Sequence, residues 1–522
     1  MKFLVGLVKF NQQILKYIVI AMLALLTACS LDIETEDTNS VTLPANSSNL
    51  ATYPQDNSDA DLPLTDYYEV SVHQGDISEN LIVYMSKSNG ASEGGRNASV
   101  VDDTISWTQF SFKEEVTIRV KLKPAQSKVF YDTAKVLPSR HKVTTTKIDD
   151  STLEFKLTKP GQYSVEFGEK GYKNGLLIFA DPMETDVPDK NAANVMVCDP
   201  CHQVDLTSID VSYDTVYFTP KSHTIMNWYP QGHIKNIYLE GGAVVKGAIH
   251  FQDANNNGSR IWGRGHLDGR VFGGGRSDDT KFNMVESLGG VTGVRVEGLV
   301  ISQPSKFAVR LLGKNNEIHW VKTPGGWRFN NDGLVGYENT HISNSFVWAN
   351  DDGIKLYRDN QNIENIVAWH LTNGAVFQWA WNTVDAKNIR VKNVDVLHGE
   401  WPVDGANQGV FNIRASTDNN GLKTQEDFIF ENITVENEVA IFINLAPKHV
   451  DHIVKNVTFK NVSFKGDGAI INRIKGYSSN AKLSDIQFEN LQLNGECLND
   501  TTAISKANFE IANAENVSFT CP

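Results

Sequence analysis

The stretch Ile389-Arg390-Val391-Lys392-Asn393-Val394-Asp395-Val396 alternates apolar and polar residues about a single asparagine. The same phrase, apolar-x-apolar-x-Asn-apolar-x-apolar, returns over Phe428 to Val435, Val457 to Phe464 and Ile486 to Leu493. With its weaker copies, the asparagine sits at 344, 365, 393, 432, 461 and 490, at spacings of 21, 28, 39, 29 and 29 residues. Period-two alternation is the signature of a strand, and a repeat of this length marks one unit stacked on its neighbours. Each coil of a parallel β-helix has this length, insertions lengthening single coils. Asparagines aligned from coil to coil can bond as an amide ladder, while the flanking apolar residues stack into one core. Antiparallel repeats would need regularly spaced hairpin dipeptides, which are lacking. The repeat therefore predicts a right-handed parallel β-helix over 214–522.

Upstream, residues 64–183 also alternate, in short runs: Tyr68, Val70 and Val72; Ile105 and Trp107; Val116, Ile118, Val120 and Leu122; Leu153, Phe155 and Leu157; Tyr163, Val165 and Phe167. Turn residues separate them and no helix-length apolar stripe intervenes, which predicts an antiparallel β-sandwich. The chain is thus read as all-β. A polar connector, 184–213, carries Cys198-Asp199-Pro200-Cys201. No second pair with metal spacing follows, since the remaining cysteines of this region and beyond are Cys497 and Cys521, and a structural zinc needs four ligands. A local disulfide or simple burial is expected for the first pair, and a staple for the second.

At the N-terminus, Lys2, Lys9 and Lys16 precede an apolar run from Tyr17 to Ala28. Twelve residues do not span a bilayer, which takes about 20, but they suit a secretory signal. Leu26-Thr27-Ala28-Cys29 resembles the bacterial lipobox, which implies cleavage and lipidation at Cys29. Ser30, not Asp, follows, so the resemblance favours the outer membrane of a Gram-negative bacterium, at the cell surface or the periplasmic face. Residues 30–63 hold seven acidic residues and no Lys or Arg. Such a composition does not bury a core, and a flexible acidic tether is expected.

The 522 residues carry 48 Lys and Arg against 62 Asp and Glu, a net charge of −14. That balance argues against a nucleic-acid partner, whose backbone calls for basic patches. A hydrophobic fraction of 41% with 21% charged residues describes folded, globular material.

Within the solenoid, Asn331-Asp332-Gly333 is followed by Asn350-Asp351-Asp352-Gly353-Ile354-Lys355-Leu356-Tyr357. Either motif alone reads as a turn. Nineteen residues separate Asp332 from Asp351, close to one coil, and coils stack about 4.8 Å apart. Three carboxylates should then converge, raising at least one pKa by mutual repulsion. A carboxyl that keeps its proton serves as general acid while another activates water, the requirement of glycoside hydrolysis. Calcium binding, as in a lyase, is the other use of such a cluster. Trp327, Trp348, Trp369, Trp379, Trp381 and Trp401 surround the motif; tryptophan faces suit sugar rings, although some of the six must be core.

These segments, with Asn373-Gly374-Ala375-Val376-Phe377-Gln378-Trp379-Ala380-Trp381 and Asp395-Val396-Leu397-His398, resemble glycoside hydrolase family 49, the dextranase and isopullulanase family. Ser106–Phe110, Tyr163–Phe167 and Leu177–Ala180 resemble its N-terminal sandwich, and Val216 to Gly247 its helix entrance. The resemblance spans about residues 66–420. It implies an inverting endo-hydrolase, with Asp351 as general acid and Asp332 and Asp352 activating water. An inverting pair is expected at about 6.5–9.5 Å. Lys355, Tyr357, Gln378 and Trp381 match positions that line the cleft, and His398 and Glu400 are placed near a subsite. No cofactor or metal is expected, and a monomer is.

The polygalacturonase family, of similar fold, is the rival. It needs a Gly-His-Gly turn after the Asp pair and an Arg-x-Lys clamp for uronates. Gly263-Arg264-Gly265-His266 lies upstream of the pair, and Arg390-Val391-Lys392 sits inside a strand repeat, where its two cations read as solvated side chains. A neutral polysaccharide follows: α-1,6-glucan first, pullulan second, another glycan of marine origin third. The chain departs from the family at Ala380-Trp381, where Gly-Trp is usual, which leaves linkage open. A surface glycan-binding protein without catalysis is the reading of a different class.

Overall fold

The computed structural model describes residues 49–53, 62–87, 104–123, 134–167, 175–272, 282–326, 330–401, 407–414, 421–466 and 471–522. The expected signal with its Cys29, and Trp327, lie outside these residues. Among the described residues no helix is long and apolar enough to cross a membrane.

The sandwich has two sheets. One orders Ile77–Leu81, Tyr68–Gln74, Val116–Leu122, Thr152–Leu157 and Thr145–Lys147, all antiparallel. Val116–Leu122 alternates buried and open positions, as its sequence predicts. The other sheet is centred on Thr104–Phe112 and departs from expectation twice. First, Thr104–Phe112 pairs in parallel with Leu176–Pro182. Second, Leu50–Thr52, within the expected tether, pairs with Phe110–Phe112; backbone bonds from an existing sheet edge order a stretch too short to show periodicity. This second sheet is buried on both faces. Its outer face, with Trp107, Leu177 and Phe179, packs on Val244, Val300, Phe346, Trp348 and Trp369 of the solenoid. At ~1.5–3 kcal/mol per large apolar side chain, such burial joins the two parts firmly.

Among the described residues the solenoid is a single sheet system of 29 strands in sequence order. It begins at Val195–Cys198, paired in parallel with Thr215–Phe218, so the stack starts inside the expected connector. Cys198–Cys201 and Cys497–Cys521 are disulfides, the second beside the terminal helix Asp500–Ala507.

Three faces are stacked in register. The first runs Val309, Leu334, Ile354, Phe377, Phe411 and Ile443. The second runs Ile342, Ile363, Val391, Phe430, Phe459, Phe488 and Phe519, its last rings stacked at 4.8 and 4.5 Å. The third runs Lys322, Phe346, Val367 and Asp395, and onto it the sandwich docks. The repeat phrase is thus two faces meeting at a corner, and the asparagine is that corner. Asn365, Asn393, Asn432, Asn461 and Asn490 each donate to the Oδ1 of the preceding asparagine at 3.1–3.3 Å. All have positive φ, 52–58°, the left-handed region that asparagine tolerates best after glycine.

Five residues upstream of each lies a second corner: Asn339, Asn360, Asn388, Asp427, Asn456 and Asp485, also with positive φ. It forms its own ladder, Asn360 to Asn339 and Asn388 to Asn360 both at 2.8 Å. In earlier coils glycines take the paired corners, Gly258 with Gly263 and Gly293 with Gly298. The abundance of Gly and Asn in this chain is therefore a corner requirement.

Candidate active site

The turn leading from the third face to the first carries the carboxylates. Asp332 and Asp352 each stand two residues before the paired Leu334 and Ile354, so those two stack directly, 20 residues apart, and Asp351 sits beside them. The register bond is Gly333 N–H to Asp352 O, 2.9 Å. A Cβ at Gly333 would lie 2.4 Å from Gly353 O, and one at Gly353 2.8 Å from Val376 O. These glycines are where they are because neighbouring backbone comes that close.

All three carboxylates are buried, 3–8% exposed, at the base of a pocket of about 490 Å³. Their facing oxygens lie within 4.8 Å of one another, as coil stacking dictates. Lys355 Nζ lies 2.8 Å from Asp332 Oδ2 and also bonds Asp352 Oδ2. One ammonium is thus shared by two of the three carboxylates. Gln378 donates to Asp352 Oδ1 at 3.0 Å and to Asn407 Oδ1 at 2.9 Å. Asp332 Oδ1 accepts no hydrogen bond from the described residues.

The electrostatics follow from burial with three acids and one lysine. Burial pushes the Asp332 carboxyl up to about 7, with Lys355 opposing and Asp352 adding to the rise. Burial, reinforced by the charges of Asp332 and Asp352, holds Asp351 well above the carboxylate range. Burial works against the Lys355 ammonium, yet Asp332 and Asp352 outweigh it and raise its pKa. The site therefore contains a lysine that stays charged, a carboxyl held protonated above the carboxylate range, and a carboxylate that titrates near neutrality. Those are the components of a general acid and a water-activating base.

Of the remaining predicted residues, Trp381 lines the pocket, 40% exposed. Its backbone N–H donates to the Tyr357 hydroxyl at 3.1 Å, so Tyr357 supports it. Lys355 and Gln378 hold the carboxylates. His398 is elsewhere. It continues the column Trp348–Trp369 on the third face, and its Nε2 lies 2.7 Å from Glu166 Oε1 of the sandwich. Glu400 accepts from Trp369 Nε1 at 2.8 Å. Both therefore depart from the subsite placement, since the face that bears them is covered by the sandwich. Trp348 and Trp369 stack on each other at 4.4 Å in the same interface, and Trp379 is fully buried in the core.

Sequence reasoning missed Asn330, Asn373 and Asn407, which line the pocket. Each stands four residues before the paired positions Leu334, Phe377 and Phe411, a column visible only once register is known. Phe307 and Arg414, also in the lining, carried no motif. Arg390 and Lys392 lie on the second face, Lys392 3.6 Å from Glu431, as solvated strand residues and away from the pocket.

Residues 46–175 match the glycosyl hydrolase family 49 N-terminal Ig-like domain. A dextranase of Arthrobacter globiformis is 24% identical over 66% of this chain and 64% of its own length. An isopullulanase of Aspergillus niger is 22% identical over 87% of this chain and 83% of its own. The chain spans slightly less than two thirds of the dextranase it matches. The structure of Dex49A from Penicillium minioluteum superposes with a TM-score of 0.76 at 18% identity, covering 90% of this chain and 99% of that one. The sandwich-plus-helix fold and the resemblance to family 49 read from the sequence are both borne out.

Proposed function

We propose that this chain, a relative of glycoside hydrolase family 49, is an endo-glycoside hydrolase of a neutral polysaccharide, α-1,6-glucan before pullulan or another glycan. The observation that carries the reading is the buried cluster of three carboxylates around one lysine at the floor of an open pocket. Asp351, which keeps its proton, protonates the leaving glycosidic oxygen. Asp332, with an unengaged Oδ1, and Asp352 orient and deprotonate the attacking water. Inversion is taken from the family resemblance and not from the carboxylate spacing; NMR of the first-formed anomer tests it. Lys355 pairs with both bases, and neutral substrate suits a pocket that shows no Arg-x-Lys clamp among the described residues.

Wild type, Asp351→Asn and Asp332→Asn assayed on dextran, pullulan and polygalacturonate, with product sizing, test the proposal. Dextran hydrolysis by wild type and its loss in both variants is the expected result. Binding without cleavage of any glycan would leave a glycan-binding protein, and unsaturated products absorbing in the ultraviolet would make it a lyase. The same reading has the mature chain act as a monomer, anchored in the outer membrane through lipidated Cys29. Cys29→Ser should then release it from the membrane fraction; retention there would refute the anchor.

A further inference from the structure

Two aromatic rings bound the pocket along the solenoid axis. Phe307 lies one coil before Asp332: Ala308 N–H donates to Asp332 O at 2.9 Å, and Val309 pairs with Leu334. Trp381 lies one coil after Lys355, three residues past Gln378, the register partner of Lys355. From Val309 through Leu334 and Ile354 to Phe377 is three coil steps, about 14 Å at ordinary strand spacing. The carboxylates fall between the two rings.

Each ring is propped by an arginine. Arg414 Cζ lies 4.5 Å from the Trp381 ring, and its guanidinium has no carboxylate partner among the described residues. Arg310 Cζ lies 5.6 Å from the Phe307 ring and is itself tied to Glu286 at 2.5 Å. Lys355 Nζ, 5.5 Å from the same ring, joins that side to the carboxylates. Cation–π contacts of this kind are worth ~0.5–1 kcal/mol or more, enough to hold a partly exposed ring in one orientation. An ordered aromatic with a free surface is what the C–H face of a pyranose needs.

We propose that Phe307, across the carboxylates from the cleft-lining Trp381, is a second sugar-contact platform on the opposite side of the scissile bond, and that Arg310 and Arg414 orient the two rings, so that a neutral glucan is gripped both before and after the carboxylates. This rests on the hydrolase reading above. It identifies Arg310 and Arg414 as positioning residues, and it explains internal attack: a chain held on both sides is cut within its length.

The test is the bond-cleavage pattern on reducing-end-labelled isomaltoheptaose, for wild type, Phe307→Leu and Trp381→Ala. Weakening one platform makes the chain slide toward the other. The preferred bond therefore moves in opposite directions in the two variants, each with a fall in kcat/KM of about tenfold, the equivalent of 1.4 kcal/mol. Phe307→Trp, which keeps a ring, should restore the wild-type pattern. Uniform slowing with an unchanged pattern, as a merely structural role would give, overturns the proposal, and so does a shift in the same direction for both. If wild type cuts no glucan, the hydrolase reading falls and the platforms fall with it.

Discussion

Among the described residues, acid–lysine contacts are buried both at the sandwich interface and at the pocket, with different consequences. At the sandwich interface, Asp181 faces Lys322 at 2.5 Å and Arg264 at 3.5 Å, with side-chain exposures of 0–6%, and Gln109 donates to Asp181 at 2.8 Å. At the pocket, Lys355 faces both Asp332 and Asp352, and Asp351 adds a third acid. In the interface two cations, Lys322 and Arg264, face Asp181. Burial then pulls Lys322 down to about 8. In the pocket three acids crowd around one bonded cation, Lys355, and Asp351 is held well above the carboxylate range. Buried ionic groups thus serve structure where charge balances, and are poised for proton transfer where acid is in excess beside a space a substrate can enter.

The largest expected break in this comparison is Lys355→Met. It leaves Asp332 and Asp352 without their cation and removes the charge that opposes the rise of the Asp332 pKa, so Asp332 gains its proton at higher pH. A fall in kcat of ~10²–10³-fold is expected, with the acid limb of the pH–rate profile moved to higher pH. An unmoved limb would show that Lys355 does not set the ionisation of the bases. Next, Lys322→Met should cost ~3–5 kcal/mol by stranding a buried acid, read by denaturant unfolding, with kcat on dextran retained in the folded enzyme. A large loss of kcat would couple the interface to the site, against the separation drawn here.

Much of this was legible in the sequence and some was not. The phrase around Asn393 gives the solenoid because a left-handed corner favours Asn, Asp or Gly, and that preference leaves its mark in most coils, Trp320 at φ 54° being an exception. The Asp332 and Asp351–Asp352 spacing is legible for the same reason: side chains one coil apart must meet. His398 was misplaced because which face the sandwich covers is a tertiary fact, and a histidine two residues past Val396 looks the same on either face. Leu50–Thr52 was hidden because three residues show no period, and Phe307 because an aromatic at a coil turn looks like any core phenylalanine.

A smaller effect sharpens the comparison further. The folded-state pKa of Asp332, about 7, is above that of an unfolded aspartate, about 3.9. Its contribution to stability is therefore complete below pH 3.9 and is lost as pH rises through 7. Asp332→Asn does not ionise, so its melting temperature relative to wild type should rise from pH 4 to pH 8, though activity is lost. A flat difference across that range would mean that Asp332 ionises in the folded protein as freely as in the unfolded chain.

The assignment of Asp351 as general acid is the centre of the account, and an activated substrate tests it most directly. A 2,4-dinitrophenyl glycoside of an isomalto-oligosaccharide needs no proton on its leaving group. Asp351→Asn should lose ~10²–10⁴-fold on dextran yet cleave this substrate at near the wild-type rate, while Asp332→Asn loses both. Equal loss on both substrates in Asp351→Asn would contradict the assignment.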